Sequence, residues 1–196
     1  EETISAYIQA KEKKAEIIVV SSGGFLKESA KKDKITFIQI PGGLPPRCAL
    51  GFLSIIPLCI LANLSLIKDK KHAIQQMVGV LEDLRDKTLK PAIEENDNIA
   101  KLVAEKLLNN FTVIYASSIH FDVVATRLRG QLNENAKALA SSHVFPEMNH
   151  NEIMGWQNPH KLFKNFVVIM LRDKQMYQRV LRRMDITREI LKKENI

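Results

Sequence analysis

The sequence predicts an α/β protein in which helices cover short parallel sheets. Short apolar runs at residues 17–20, 35–40, 111–116 and 166–171 are typical of buried strands. Turns rich in serine, glycine or proline follow several of these runs, and segments with helical spacing separate them. Because parallel strands need a crossover connection, usually a helix, this alternation favours parallel pairing. The alternation occurs near both ends of the chain, with a helical stretch between them.

The first part of the chain, residues 1–66, is expected to hold two strands and three helices. Acidic residues open the first helix, where the helix dipole favours them. Pro41 to Pro46 end the regular structure before the long apolar helix, which Arg47 begins. We expect that helix to be buried in a core rather than to span a membrane, because Pro57 and Asn63 interrupt it. The predicted elements are helix 1–16, strand 17–20, helix 25–32, strand 35–40 and the apolar helix that Arg47 begins and that continues through the apolar run 48–66.

Residues 67–110 are predicted to form a helical bridge, and residues 111–196 a second α/β part. In the bridge, apolar residues recur at helical spacing on both sides of Pro91, which we expect to open the second bridge helix. A polar segment, residues 142–156, is predicted to be an irregular loop. The elements predicted for the second part are strand 111–116, helix 122–139, loop 142–156, strand 166–171 and helix 175–193.

The net charge, its distribution and the cysteines indicate which partners and which compartment to expect. The 196 residues carry a net charge of +7, but the basic residues are spread over helix faces without interleaved aromatic residues. We therefore predict neither nucleic-acid binding nor membrane association. Cys48 and Cys59 are expected to be reduced packing residues on one helix, which favours the cytoplasm. The polar start at Glu1 predicts no signal peptide and is typical of an internal segment.

Arg47 is the first candidate for function. Pro45 and Pro46 fix the backbone before it, and it lies where the helix dipole is already positive. A bound anion would offset this unfavourable placement. The alternative is a surface salt bridge to a nearby acid.

Glu134 is the second candidate. Asn133 and Asn135 flank it on the predicted helix, and polar residues crowded there lower helix propensity. A carboxylate in such a setting is a candidate general base. The alternative is an exposed helix acid close to Arg127, Arg129 or Lys137.

His150 is the third candidate, because histidine exchanges protons near neutral pH. The alternative is an ordinary surface or capping residue. Nearby His143, Glu147 and Glu152 raise the possibility of a metal site, but their spacing is irregular and no HExxH or cysteine pattern is present. The chain also lacks a Rossmann fingerprint, a P-loop and a Gly-x-Ser-x-Gly elbow. We therefore predict no metal and no cofactor.

Three motifs together resemble one family, the bifunctional phosphoglucose/phosphomannose isomerases of the sugar isomerase (SIS) fold. They occur in the family's order, and the resemblance runs nearly end to end. The motifs are Pro41-Gly-Gly-Leu-Pro-Pro-Arg-Cys-Ala-Leu-Gly51, Gln131-Leu-Asn-Glu-Asn-Ala-Lys137 and Asn149-His-Asn-Glu-Ile-Met-Gly-Trp156.

The resemblance implies two SIS-type domains, each a parallel sheet flanked by helices, in a homodimer with active sites at the subunit interface. It implies the reversible conversion of glucose 6-phosphate and mannose 6-phosphate to fructose 6-phosphate through a cis-enediolate. Glu134 matches the family's base, and His150 matches the histidine that assists ring opening from the partner subunit. Arg47 matches the arginine beside the reacting carbons, and no metal or nucleotide is implied.

Two features of the family have no match in this chain. They are its serine-rich phosphate-binding loop and its ring-opening lysine, which Lys192 and Lys193 do not match. We therefore expect an internal portion of a longer protein. The expected domains are a first SIS domain incomplete at its N-terminus (1–66), a helical bridge (67–110) and a second SIS domain (111–196).

Two other functions remain open at this point. SIS domains also serve as non-catalytic modules that bind sugar phosphates in regulators, although such a sensor would need neither Glu134 nor His150. A nucleic-acid-binding protein rests only on the positive charge, and it predicts binding to duplex DNA that weakens with salt.

Overall fold

The chain forms two compact units, Glu1–Glu82 and Asp83–Ile196. The computed structural model describes residues 1–194 and 196. Each unit is an α/β arrangement with parallel strands, as the sequence predicts. The division into 1–66, 67–110 and 111–196 stays a prediction. None of the described helices has the length and apolar character needed to cross a membrane.

The first unit is built around two parallel strands that pair from Ile18 opposite Thr36 to Ser21 opposite Gln39. Its small core contains Tyr7, Val19 and Ala30, which come from the first helix, the first strand and the second helix. The elements are α1 (Glu2–Glu12), β1 (Ile18–Ser21), α2 (Gly24–Asp33), β2 (Thr36–Gln39), a 3₁₀ turn (Pro46–Cys48), α3 (Leu50–Asn63) and most of α4 (Lys71–Leu84).

The apolar helix α3 differs from its prediction. It was expected to be a buried core helix, but none of its residues is buried within the described chain. The reason is that the core of this unit is formed by α1, α2 and the two strands. Cys48 and Cys59 are likewise exposed rather than packed, and Cys48 precedes α3 in the 3₁₀ turn.

The second unit contains a three-stranded parallel sheet with the order β4–β3–β5. Tyr115, on the central strand, lies opposite His143 on β4 and Met170 on β5. Its helices and strands are α5 (Ile99–Leu107), β3 (Phe111–Ser117), α6 (Asp122–Gln131), β4 (Ala140–Phe145), α7 (Glu152–Gly155), α8 (His160–Phe163), β5 (Phe166–Met170) and α9 (Gln178–Lys193). Its irregular turns are Arg85–Leu89, Glu95–Asp97, Leu132–Ala136 and Glu147–Asn149.

Both faces of this sheet are covered, so the central strand β3 is buried along nearly its whole length. On one face Ile114 and Ala116 pack with Ala125 of α6. The larger cluster on the other face contains Val113, Tyr115, Phe145, Met148, Trp156, Phe163, Met184 and Leu191. A continuous apolar run is what a strand buried on both faces requires.

The structure corrects three sequence predictions in this unit. Residues 140–145 form the edge strand β4, although the sequence predicts a loop from residue 142 onward. The helix predicted over 122–139 ends earlier, because a π-type turn, Leu132–Ala136, closes it and Lys137 adopts a left-handed backbone. Pro91 does not open α5, which begins at Ile99 after the capping residue Asn98.

Candidate functional site

Polar side chains follow the strands of the second unit at their carboxyl ends. A cavity of about 470 Å³ opens between the ends of β3 and β5. Ligands in open α/β sheets bind at this edge. The polar residues that line the cavity are Ser117, Ser118, His120, Asp173, Gln175 and Tyr177.

Glu134 lies in the π-type turn Leu132–Ala136, between α6 and β4. Two hydrogen bonds tie the turn to the residues that follow it. Asn133 Oδ1 accepts a hydrogen bond from the backbone N–H of Ala140 at 2.9 Å, and Lys137 Nζ donates to the backbone oxygen of Glu134 at 2.7 Å. The Glu134 side chain is exposed. The backbone that carries the carboxylate is therefore held, and turns of this type occur often at functional sites.

Arg129, one of the cations close to which the sequence alternative places Glu134, donates through Nη1 to Ser142 Oγ on β4 at 3.1 Å. Both residues line a second cavity of about 320 Å³ between α6 and β4, together with His143, Glu147, Asn151 and Glu152. Neither this cavity nor the one between β3 and β5 is lined by Arg47, Glu134 or His150.

His150 ends the 3₁₀ turn Glu147–Asn149, where its backbone N–H donates to the oxygen of Glu147 at 2.9 Å. Its side chain is exposed, while Met148, two residues before it, is only 1% exposed. Asn149 Nδ2 donates to Thr187 Oγ1 on α9 at 3.1 Å. The segment Glu147–Trp156, named here the His150 segment, is therefore anchored in the core beside an exposed histidine.

A chain of hydrogen bonds runs from the centre of the sheet to the His150 segment. The hydroxyl of Tyr115 donates to Glu152 Oε1 at 2.7 Å and accepts from Trp156 Nε1 at 2.8 Å. The other oxygen of Glu152, Oε2, lies 3.1 Å from His143 Nδ1. Burial, followed by the hydrogen bond to Glu152, raises the pKa of Tyr115 above its ordinary value. The phenol is therefore protonated at neutral pH and available as a donor.

Arg47 belongs to the first unit and lies in the 3₁₀ turn Pro46–Cys48, before α3 begins at Leu50. The rigid entry predicted from Pro45 and Pro46 is present, since Pro45 is extended and Pro46 opens the turn. Arg47 is exposed, and it does not lie on the long helix itself.

Glu134 and His150 lie on either side of β4 along the chain. Glu134 precedes Ala140, the first residue of the strand, and His150 follows Phe145, the last. A strand of that length extends for about 16 Å. Within the described residues, no hydrogen bond or ion pair joins Glu134 to His150. In one chain the two residues therefore lie in the turns before and after β4 and do not form a bonded pair.

The possible metal ligands noted in the sequence contact one another or a neighbouring asparagine. His143 pairs with Glu152, and Glu147 Oε1 accepts from Asn151 Nδ2 at 3.2 Å. Over residues 1–194 and 196, no group of three or more histidine, cysteine, aspartate or glutamate side chains is arranged to hold a metal ion.

Sequence reasoning missed the role of Tyr115 and Trp156. A signal was present, because both residues carry one polar group on an apolar body and need a hydrogen-bond partner when buried. Tyr115 in the middle of an apolar strand therefore predicted a polar partner, but not its identity.

The chain is similar to a known protein family and to several curated proteins. Residues 96–196 match the family described as the bacterial phospho-glucose isomerase C-terminal SIS domain. The chain is 45% identical, over 98% of its length, to a bifunctional phosphoglucose/phosphomannose isomerase from Caldicellulosiruptor bescii. Proteins with the same name from Aquifex aeolicus and Thermoplasma acidophilum are 34% and 33% identical over 97% of the chain. The chain spans about half the length of these curated relatives, 55–56%.

Proposed function

Because this chain belongs to the family of bacterial phospho-glucose isomerase C-terminal SIS domains, we propose that the whole protein is a sugar-phosphate isomerase. The proposed reaction interconverts glucose 6-phosphate and mannose 6-phosphate with fructose 6-phosphate. The observation that carries the proposal is the match of nearly the whole chain to relatives named for these two activities. The proposed architecture is two SIS-type domains, of which residues 111–196 contribute to the second.

Glu134 is the proposed general base. Its carboxylate removes the proton from C2 of the open-chain aldose and returns it to C1, which converts the aldose to the ketose through a cis-enediolate. Glucose and mannose 6-phosphates differ only at C2, and both give the same enediolate, so one base serves both substrates. The exposed position of Glu134 on a held turn supports this role, because substrate can reach the carboxylate.

Arg47 and His150 are proposed to assist the base. A guanidinium beside the reacting carbons stabilises the negative charge that develops on the enediolate oxygen. A histidine can transfer the proton that ring opening requires, between the ring oxygen and the C1 hydroxyl. The exposed positions of both side chains support these roles. Proton transfer between adjacent carbons calls for no cofactor and no metal, which remains a prediction.

A homodimer is proposed as the active assembly, with His150 of one subunit serving the site of the other. The support is the placement of Glu134 and His150 on either side of β4, which separates them along one chain. The proposed location is the cytoplasm, where the exposed thiols of Cys48 and Cys59 would stay reduced.

The decisive test is proton NMR of the full-length protein with glucose 6-phosphate in deuterated water containing EDTA. We expect fructose 6-phosphate to form and solvent deuterium to enter at the carbons that exchange protons. Replacing Glu134→Gln should lower kcat by a factor of roughly 10² to 10⁴, because general base catalysis is lost.

The matched control is Glu105→Gln, which removes an exposed acid from α5. It should leave turnover unchanged. Near-normal turnover by the Glu134→Gln variant would contradict the assignment of the base. Binding of fructose 6-phosphate by the unchanged protein, with neither exchange nor product, would favour the non-catalytic sensor instead.

A further inference from the structure

We infer that Glu152 and Tyr115 are positioning residues for His150, because they fix the segment that presents its side chain. This inference rests on the proposed function, in which His150 assists ring opening. It adds two residues that do not themselves contact the reacting atoms. Three sets of contacts within the second unit carry it.

The first set anchors the chain before His150. Met148 is almost completely buried in the larger core cluster. Asn149 donates to the hydroxyl of Thr187, itself only 1% exposed, on α9. The residue immediately before His150 is therefore bonded to a helix that covers the sheet.

The second set anchors the chain after His150. Asn151 Oδ1 accepts from the backbone N–H of Glu152 at 2.6 Å, which caps the short helix α7. The Glu152 carboxylate then accepts the hydrogen bond from Tyr115, whose side chain is completely inaccessible. Trp156, at the end of the segment, donates to the same tyrosine hydroxyl. One hydroxyl on the central strand thus holds two points of the segment.

The third set closes the segment on itself. Asn151 Nδ2 donates to Glu147 Oε1, across the turn that contains His150. The side chain of His150 is exposed. Its neighbours on both sides are bonded to α9, to β3 or to each other. An exposed histidine on an unanchored loop would sample many positions, whereas a group that transfers a proton must stay within hydrogen-bond reach of its substrate.

Partial burial of a carboxylate costs free energy unless hydrogen bonds compensate for the lost hydration. The Glu152 side chain is 26% exposed, and it has partners on both oxygens, Tyr115 and His143. A leucine could pack at this place without that cost. Packing alone therefore does not account for a glutamate at position 152. Its hydrogen bond with the fixed hydroxyl of Tyr115 does account for it.

The test is Tyr115→Phe in the full-length protein. The change removes one hydroxyl and keeps the aromatic ring in the core. We expect kcat with glucose 6-phosphate to fall by roughly 10-fold to 100-fold, because small misplacements of catalytic groups have effects of that size. KM should stay within about twofold of the original, because substrate contacts are unchanged.

A second readout separates positioning from a merely structural role. With glucose 6-phosphate deuterated at C2, the isotope effect on kcat reports how far proton abstraction limits the rate. In the Tyr115→Phe variant this effect should fall toward one, because ring opening, the step assigned to His150, becomes limiting. Loss of stability alone would not move the isotope effect of the folded enzyme.

The matched control is Tyr7→Phe, which also removes a tyrosine hydroxyl that donates to a carboxylate, Asp33 Oδ2 at 2.6 Å, in the first unit. It should leave kcat and the isotope effect unchanged. Glu152→Gln is the milder second variant, because its amide oxygen can still accept from Tyr115. It should retain more activity than Glu152→Ala.

Each outcome decides the matter. Unchanged kcat and isotope effect in folded Tyr115→Phe or Glu152→Ala would overturn the inference, even if the melting temperature fell. If Glu134→Gln abolishes turnover while the Tyr115 and Glu152 variants behave like the unchanged protein, only this inference fails. If the unchanged protein does not isomerise glucose 6-phosphate, the proposed function fails first and the inference fails with it.

Discussion

Asn98 shows how one side chain decides where a helix begins. Its Oδ1 accepts from the backbone N–H groups of Ala100 and Lys101 at 3.1 and 3.2 Å, and its Nδ2 donates to the oxygen of Lys90 at 3.0 Å. The side chain is buried, so these bonds replace water entirely. This cap, rather than Pro91, starts α5. The sequence held the signal, because asparagine directly before an apolar periodic run is a strong capping residue.

Replacing Asn98→Ala should lower the free energy of unfolding by about 0.5 to 2 kcal/mol, the usual range for loss of a helix cap. The reason is that two N–H groups of the first turn and the oxygen of Lys90 lose their partner. Urea denaturation followed by circular dichroism measures the change. Asn98→Ser retains a capping oxygen and should recover part of the loss. An alanine variant as stable as the original would show that water satisfies these groups.

At the scale of elements, Asp33 joins α1 to α2. Tyr7 donates to its carboxylate, and Lys11 Nζ lies 2.5 Å from the same oxygen. The pKa of Asp33 is held below its ordinary value. The main cause is the hydrogen bond from Lys11, and the next is the hydrogen bond from Tyr7. The pKa of Tyr7 is raised to about 12, mainly because its phenol is buried and next because it donates a hydrogen bond to Asp33. The two helices are therefore linked by groups that titrate at opposite ends of the pH scale.

This linkage predicts how the stability of the first unit depends on pH. The contribution of Asp33 is complete above its unfolded pKa of about 3.9 and is lost as pH falls through its lower folded pKa. The contribution of Tyr7 is complete below its unfolded pKa of about 10 and is lost as pH rises toward about 12.

Hydrogen exchange of amides in α1 and α2, measured across pH, tests both limits. Asp33→Asn should remove the acid dependence, and Tyr7→Phe should remove the alkaline dependence. Identical pH profiles for Asp33→Asn and the original protein would mean that Asp33 does not link the helices.

Strand β4 shows what local patterns miss at this scale. The central strand β3 was found because both its faces are buried and its sequence is continuously apolar. Strand β4 lies at the edge of the sheet, where Ser141, Ser142 and His143 interrupt the apolar pattern. Its strand conformation comes from the parallel register with β3, a contact that no short window of sequence contains.

At the scale of the whole molecule, the most unusual feature is the apolar surface of the first unit. Helix α3 is strongly apolar, yet several of its large side chains are between about one third and one half exposed. Exposed apolar side chains grouped on one helix promote association. These side chains are Leu50, Phe52, Leu53 and Leu61.

We therefore predict that the 196-residue chain, expressed by itself, associates and binds hydrophobic dyes. Size-exclusion chromatography with light scattering and fluorescence of an apolar dye measure both properties. The double substitution Leu53→Lys and Leu61→Lys should reduce association by adding charge to the exposed helix. A monodisperse monomer that binds no dye would contradict the prediction.

The sequence by itself determined the parallel α/β character of both units and singled out Arg47, Glu134 and His150. These inferences depend on apolar periodicity, turn residues and short motifs, all of which are local. Only the tertiary structure decided that β4 lies between Glu134 and His150, and that Tyr115 bonds to both Glu152 and Trp156. Those two bonds join residues 37 and 41 positions apart. Their geometry depends on how β3 packs against the His150 segment, and such packing is a property of the folded chain rather than of any one stretch of it.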